Sequence, residues 1–131
     1  MNLPKDADLI ETPTSTSWLD KEGFICSNSK KSTLNIEESR KSMEVFLQKY
    51  GNRKYCFLVD VTNASPGNRE QRELVTREIL KIANAIAFIS NSVLGRMIGN
   101  LFISLTSLPC PAKFFDNEEE ARMWLRQYRS S

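Results

Sequence analysis

The sequence predicts an α/β protein in which helices cover a mixed β-sheet. Residues 55–61 form a continuous apolar run without polar alternation, which is typical of a strand buried on both faces of a parallel or mixed sheet. A turn-rich segment, 62–69, follows this run and leads directly into a helical pattern. The full order is ββαβαβαβα, and its strand–helix–strand crossovers should be right-handed. With 131 residues, the chain is expected to form a single domain over 1–131.

The first third of the chain predicts an arm, a hairpin and a helix. Residues 1–13 are polar and contain two prolines, so we expect a loose arm. Residues 14–28 read as a hairpin whose turn places Gly23 at a positive φ. Asn35 is a predicted N-cap with Glu38 in capping-box position, and Gly51 ends this first helix. Its predicted inward face consists of Ile36, Met43, Phe46, Leu47 and Tyr50.

Two further helices and a strand follow the buried run. The second helix is predicted over 69–82, with Asn68 as its cap and an inward stripe of Val75, Ile79 and Ile82. Residues 83–90 would suit a continuing helix, but residues 85–90 are short and apolar, and we assign them to a strand. Ser90–Ser92 then caps a third helix over 93–106. Its predicted inward face consists of Leu94, Met97, Ile98, Leu101, Phe102 and Leu105.

The C-terminal segment predicts a last strand and a last helix. The prolines at 109 and 111 force an extended entry to a strand over 112–115. Asp116 is the predicted cap of the final helix, with Glu119 in box position. The inward stripe of this helix is predicted to contain Ala121, Trp124, Leu125 and Tyr128.

Composition argues against several classes of function. The formal charge of +2 comes from interleaved acids and bases, so we expect no nucleic-acid partner. The chain has no histidine, the commonest general base and a common metal ligand, so we expect no enzyme, no cofactor and no metal. Three cysteines without paired spacing indicate reduced thiols. There is no secretory signal and no apolar run long enough for a membrane span, so we expect a cytoplasmic protein.

The order of elements over about residues 14–129, together with two segments, resembles the STAS-like family, which includes anti-sigma-factor antagonists and the tails of sulfate transporters. Residues 57–62 (FLVDVT) are similar to the central strand of that family, and 114–125 (FFDNEEEARMWL) are similar to its closing strand and helix. The likeness is greatest to uncharacterised bacterial members. The resemblance implies a non-enzymatic regulatory module that binds a protein. Regulatory members carry a phosphorylated serine in an Asp-Ser-x-Gly-type segment, and the matching segment here, 64–67 (ASPG), implies Ser65 as a possible phosphorylation site.

The candidate site is predicted where two strands end and two helices begin. If the strands before 60–69 and 90–96 are neighbours, hydroxyls, free N–H groups and arginines would converge there, which suits an anion or a protein partner. The alternative is ordinary turn and capping chemistry. Asp60 could be a buried acid with a raised pKa or could cap the following turn. The candidate residues are Asp60, Thr62, Asn63, Ser65, Asn68, Arg69, Ser90, Ser92 and Arg96.

The third helix is the second candidate surface. Gly95 and Gly99 stand four residues apart, so one side of the helix allows a close approach. This strip could pack on the sheet, or it could belong to an interface with a partner or a second copy. The candidate interface residues are Gly95, Met97, Gly99, Phe102 and Ile103.

Two functions follow from these sites. The first is a protein-interaction module that binds a protein partner, or itself as a homodimer, through the 62–69 turn and helices two and three. The second is a small-molecule binder, for a lipid or a nucleotide, with its pocket between helix 93–106 and the sheet.

Overall fold

The computed structural model describes residues 1–31, 35–63, 69–79, 81–105 and 110–129. Six strands form one mixed sheet, and four helices pack against it. The strands are β1 (Ile10–Glu11), β2 (Ser15–Leu19), β3 (Ile25–Ser29), β4 (Tyr55–Asp60), β5 (Ala83–Ile89) and β6 (Ala112–Phe115). The helices are α1 (Ile36–Tyr50), α2 (Arg69–Ile79), α3 (Val93–Leu105) and α4 (Glu118–Arg126).

The strands lie in the sheet in the order of the chain, from β1 to β6. The first three strands are antiparallel, whereas β3, β4, β5 and β6 are parallel. Because successive right-handed crossovers advance in one direction, α1, α2 and α3 share one face of the sheet. The last helix, α4, packs on β4, β5 and β6 from the opposite face. The predicted α/β fold class is therefore confirmed.

The buried strand β4 separates two halves of the core. Cys56 and Leu58 face α4, where Leu125 is fully buried. Phe57 faces the other way and packs with Phe46 and other residues beneath α1. Alternate residues of β4 are thus buried on opposite faces, as its continuous apolar run predicts.

The N-terminal arm is attached to the fold, so the prediction of a loose arm over 1–13 is wrong. Residues Ile10 and Glu11 form β1, which pairs with β2 and is absent from the predicted order. The Met1 side chain packs against the core on the α4 face. Local secondary-structure propensities do not predict these contacts, because the contacts depend on a sheet edge and a core that other parts of the chain form.

The predicted turn and helix ends are found in the structure, except that one helix cap is shifted by one residue. Gly23 has φ 83°, and the Asn35 side chain accepts a hydrogen bond from the Glu37 N–H, as predicted. Gly51 follows the end of α1 with φ −74°, so it does not need glycine's left-handed conformation. The cap of α4 is Asn117 instead of Asp116, and its side chain accepts from the Glu120 N–H. Adjacent Asp and Asn are comparable caps, so sequence alone does not rank them.

Helix α2 and strand β5 differ from prediction at their shared boundary. The helix ends at Ile79, and β5 begins at Ala83, two residues before the predicted strand. Among the α2 side chains that the structure describes, Leu74 is the buried one, and the side chain of Val75 is outside the described part. Ile82 is buried as predicted but lies after the helix.

Helix α3 begins at the predicted residue but does not bury its first turns. The Ser92 hydroxyl accepts from the Gly95 N–H and caps the helix. Leu94 and Met97 were predicted to face the sheet, but both side chains are exposed. Gly99 faces the sheet instead, so close to Phe114 that a Cβ there would lie 2.5 Å from the ring. No helix among the described residues is long and apolar enough to cross a membrane.

Candidate functional site

The two predicted junctions lie side by side because β4 and β5 are adjacent parallel strands. Asp60 is in register with Ile89, and the Val61 N–H donates to the Ile89 carbonyl at 2.9 Å. The carboxyl ends of these strands therefore meet at one edge of the sheet, which is where parallel α/β proteins bind ligands. The condition on which the predicted site depended is met.

Asp60 at this edge is an ionised turn cap. Its Oδ1 accepts from the Thr62 N–H at 2.9 Å, and its Oδ2 accepts from the Met1 ammonium at 3.0 Å. Burial acts to raise the pKa of Asp60, but the bonds from Thr62 and the ammonium outweigh it, and the pKa lies below its ordinary value. The interpretation of Asp60 as an acid with a raised pKa is wrong, and the turn-cap alternative holds.

The Met1 residue occupies the position between β3 and β4. Its ammonium donates to Asn28 Oδ1 at 2.8 Å, and Asn28 Nδ2 donates back to the Met1 carbonyl at 2.8 Å. Asn28 and Asp60 are register partners on the two strands, so they hold this group together. The sequence analysis missed Asn28, whose role depends on the pairing of two distant strands.

The second junction brings together Ser90, Ser92 and Arg96, and their hydrogen bonds mainly hold the start of α3. Ser90 is buried, and its carbonyl accepts from Arg96 Nη1 at 2.7 Å. The Ser90 hydroxyl accepts from the Ser92 N–H at 3.3 Å. These bonds fix the direction in which α3 leaves β5 and bring the Arg96 guanidinium to the sheet edge.

The other candidates of the first junction are placed only in part. Thr62 and Asn63 are exposed beside Asp60. Arg69 begins α2, but its side chain lies outside the described part of the chain. Ser65 and Asn68 lie outside the described residues, so the predicted phosphorylation site and the predicted cap stay predictions.

A groove of about 350 Å³ runs between α3 and β6. Its α3 wall is a single helical stripe, spaced three and four residues apart: Val93, Arg96, Met97 and Asn100. The opposite wall comes from β6, the residue that follows it and the first turn of α4: Lys113, Phe114, Phe115, Asp116 and Glu120. Apart from Arg96 and Met97, the sequence analysis did not connect these residues with a site. The usable signal was Asn100, a polar residue that interrupts the apolar run of α3.

The predicted interface residues of α3 separate into two groups. Gly95 and Gly99 face the protein, where they allow close packing against Ser92 and Phe114. Met97 is exposed to 65%, as are its neighbours Val93 (64%) and Leu94 (66%). Ile103 is half-buried, and the side chain of Phe102 is outside the described part. The first turns of α3 therefore present an apolar ridge, which we define as Val93, Leu94 and Met97.

The three thiols are placed as structural groups. Cys26 and Cys56 are buried, and Cys110 is half-buried. Burial raises the pKa of each thiol above its ordinary value. Among the described residues, no group of three or more acidic, cysteine or histidine side chains is arranged to hold a metal ion.

Comparison with known proteins identifies the fold of this chain. A family model described as "Domain of unknown function (DUF7793)" matches residues 17–129. An uncharacterised protein of the DUF3478 family from Shewanella loihica PV-4 has a SpoIIAA-like fold, and its structure aligns with 91% of this chain over 91% of its own length. The TM-score of this alignment is 0.58, and the sequence identity is 15%. The STAS-like fold implied by the sequence is therefore confirmed.

A second solved structure adds no argument. It is a protein of unknown function from Arthrobacter sp. FB24, aligned over 96% of this chain and 98% of its own at 20% identity, with a TM-score of 0.29. No curated protein matches this chain.

Proposed function

We propose that this chain, which belongs to the DUF7793 family of domains of unknown function, is a non-enzymatic regulatory module that binds a protein partner through the start of α3 and the adjacent 62–69 turn. The observation that carries the proposal is the apolar ridge. Three large apolar side chains, each about two-thirds exposed, lie on consecutive turns of one helix. Such a cluster marks a surface that is covered when a partner binds.

The surroundings of the ridge support a protein as the partner. Arg96 lies between Val93 and Met97 in the sequence and has no ion pair with another described residue. An arginine beside exposed apolar side chains is typical of the centre of a protein interface. Thr62 and Asn63 are exposed at the neighbouring strand end, so one partner can contact both junctions. Phosphorylation of Ser65, implied by the resemblance, would add negative charge to the same turn.

The proposal predicts a position-dependent crosslink in the cells that naturally make this protein. A photo-reactive amino acid replaces Leu94 in one variant and Met123 in another. Met123 is a matched control because it is also exposed, at 58%, but lies on α4 at the other face of the sheet. We expect a discrete covalent adduct from position 94 and at least about tenfold less from position 123, since hot spots are confined to the covered patch.

A variant that combines Arg96→Glu with the photo-reactive residue at position 94 should give a lower adduct yield than the position-94 variant alone. The reason is that Arg96→Glu reverses the charge at the centre of the surface. Equal adduct yields from positions 94 and 123, or none from either, would overturn the proposal. A phosphate on Ser65, detected by mass spectrometry of the same samples, would place the switch of the resembling family in this chain.

The groove between α3 and β6 favours a second candidate, a small-molecule binding module. Its volume of about 350 Å³ is at the lower end of the range for ligand pockets, and its walls combine apolar and charged side chains. A lipid or a nucleotide fragment would lie between Met97 and Phe114. The groove is open along one side, which favours the protein partner as the first candidate.

A further inference from the structure

We propose that Asn28 and Asp60 form a binding site for the free α-ammonium group of a polypeptide, and that Met1 of this chain occupies the site as a tethered, displaceable ligand. We call this pair of side chains the ammonium site. It lies at the carboxyl ends of β3 and β4, on the face of the sheet that α4 covers. The inference goes beyond the proposed function, because it assigns a class of ligand to a part of the molecule away from the apolar ridge.

The two side chains of the ammonium site point in the same direction because their strands are paired in register. Asn28 is the register partner of Asp60. Each lies two residues after a buried apolar residue, which is Cys26 on β3 and Leu58 on β4. Since side chains two residues apart lie on one face of a strand, all four face α4. A polar pair therefore ends an apolar row at the edge of the sheet, which suits a ligand with a charged head and an apolar body.

The contacts of Met1 recognise three features of an N-terminal residue. The ammonium group donates to Asn28 Oδ1 at 2.8 Å and to Asp60 Oδ2 at 3.0 Å. Asn28 Nδ2 donates to the Met1 carbonyl at 2.8 Å. The Met1 side chain, which is 3% exposed, packs against the core on the α4 face. A residue inside a chain has no ammonium group, so these contacts select a free N-terminus, which is a recurring mode of peptide recognition.

The segment that follows Met1 makes it a tethered ligand. Residues 2–6 are exposed, and Ala7 is the next residue of the arm that packs against the core. Because the sheet contacts of the arm begin only at β1, Met1 can leave the ammonium site without the loss of a strand. A ligand on a short flexible tether has an effective concentration in the millimolar range. An external ligand therefore has to compete with Met1 for the site.

The test vacates the ammonium site with a single glycine placed before Met1 in the full chain. This extension moves the ammonium group by about 3.8 Å and turns the Met1 amine into an uncharged amide. The probe is methioninamide, which has a free ammonium group, and its binding is followed by NMR of the Asn28 side-chain amide. We expect the extended chain to bind methioninamide at least about tenfold more tightly than the wild type, in which Met1 competes. N-acetylmethioninamide, which lacks the ammonium group, should bind to neither chain.

Two substitutions in the extended chain identify the carboxylate that binds the probe. Asp60→Asn keeps an acceptor for the Thr62 N–H but removes the charge, so it should weaken the binding of methioninamide by more than about tenfold. Asp6→Asn is the matched control, because it removes an exposed carboxylate of the arm. It should bind methioninamide as the extended chain does.

The reactivity of the Met1 α-amine in the wild type is a second readout that does not need the extension. With a limiting amount of acetic anhydride, this amine should react at least about tenfold more slowly than methioninamide in the same solution, because it is paired and partly buried. Asp60→Asn should bring the two rates together. An extended chain that folds but binds methioninamide no better than the wild type, or a wild-type amine that reacts as fast as methioninamide, would overturn the inference. The crosslink from position 94 tests the proposed function separately.

Discussion

Replacing Leu125 by alanine is expected to lower the free energy of unfolding by about 3 kcal/mol. Leu125 is fully buried in the half of the core between the sheet and α4, together with Trp18, Leu58 and Ala121. Truncation removes apolar contacts and leaves a cavity that close-packed neighbours cannot fill. The effect should be large because, among the residues that the structure describes, one helix and the N-terminal arm cover this face of the sheet.

Urea unfolding of wild type and variant measures this change. Met123→Ala is the matched control on the same helix, because its side chain is exposed, and it should change the stability by less than about 0.5 kcal/mol. If Leu125→Ala were as stable as Met123→Ala, the packing of α4 on the sheet described here would be incorrect.

Replacing Arg122 by alanine is expected to cost about 2 kcal/mol. Its guanidinium joins α4 to the β2–β3 turn, with Nη1 donating to Asp20 at 2.6 Å and to Glu22 at 2.8 Å. Its Nε donates to Glu118 at 2.8 Å. Removal would leave three neighbouring carboxylates with less compensation. The cost is smaller than the loss from a fully buried pair, since the Arg122 side chain keeps a fifth of its surface exposed to water.

The pH dependence of this variant distinguishes charge from packing. The Arg126 guanidinium, followed by that of Arg122, holds the pKa of Glu22 below its ordinary value against the effect of burial. A lowered pKa stabilises the folded state above the unfolded value of about 4.3 and loses that effect as the pH falls through the folded value. The stability difference between wild type and Arg122→Ala should therefore narrow below about pH 4. Arg126→Ala, at an exposed end of the cluster, should show a smaller change at neutral pH.

The elements of this fold could be predicted where the local signal and the tertiary outcome agree. The apolar run of β4 and the 3.6-residue stripe of α4 have one stable arrangement each, and both were predicted. In α3 the local sequence signal and the tertiary structure disagree. Its composition is apolar on most sides, so the sequence shows that it is a helix but not which side faces the sheet. The close contact of Gly99 with Phe114 sets that side and turns Leu94 and Met97 to solvent.

Buried polar contacts account for much of what the sequence did not reveal. Ser17 and Ser27 face each other on β2 and β3, with 3.0 Å between their hydroxyl oxygens, and the Thr14 hydroxyl donates to Ser42 of α1 at 2.8 Å. Serines in a β-prone segment would ordinarily be assigned to a solvated face. Here they lie under α1 and satisfy one another, which keeps their burial inexpensive.

The candidate site was predictable in its location but not in its chemistry. The rule that ligand sites lie at the carboxyl ends of parallel strands places the two junctions together, as β4 and β5 show. The hydrogen bonds of Asp60 and Arg96 depend on the register of β3 with β4 and on the entry angle of α3. The groove beside β6 requires the identity of the edge strand, which is fixed by the order of strands in the sheet. Local sequence patterns do not contain that order.

Native mass spectrometry of the protein, purified from the cells that naturally make it, tests most directly whether this chain is a protein-interaction module. The spectrum is compared with the mass of the denatured chain. We expect species that contain whole protein chains, either a dimer or a complex with a partner, and no small mass that is lost on denaturation. A monomer carrying a few hundred daltons of added mass, lost on denaturation, would contradict the account and make the groove between α3 and β6 a small-molecule site.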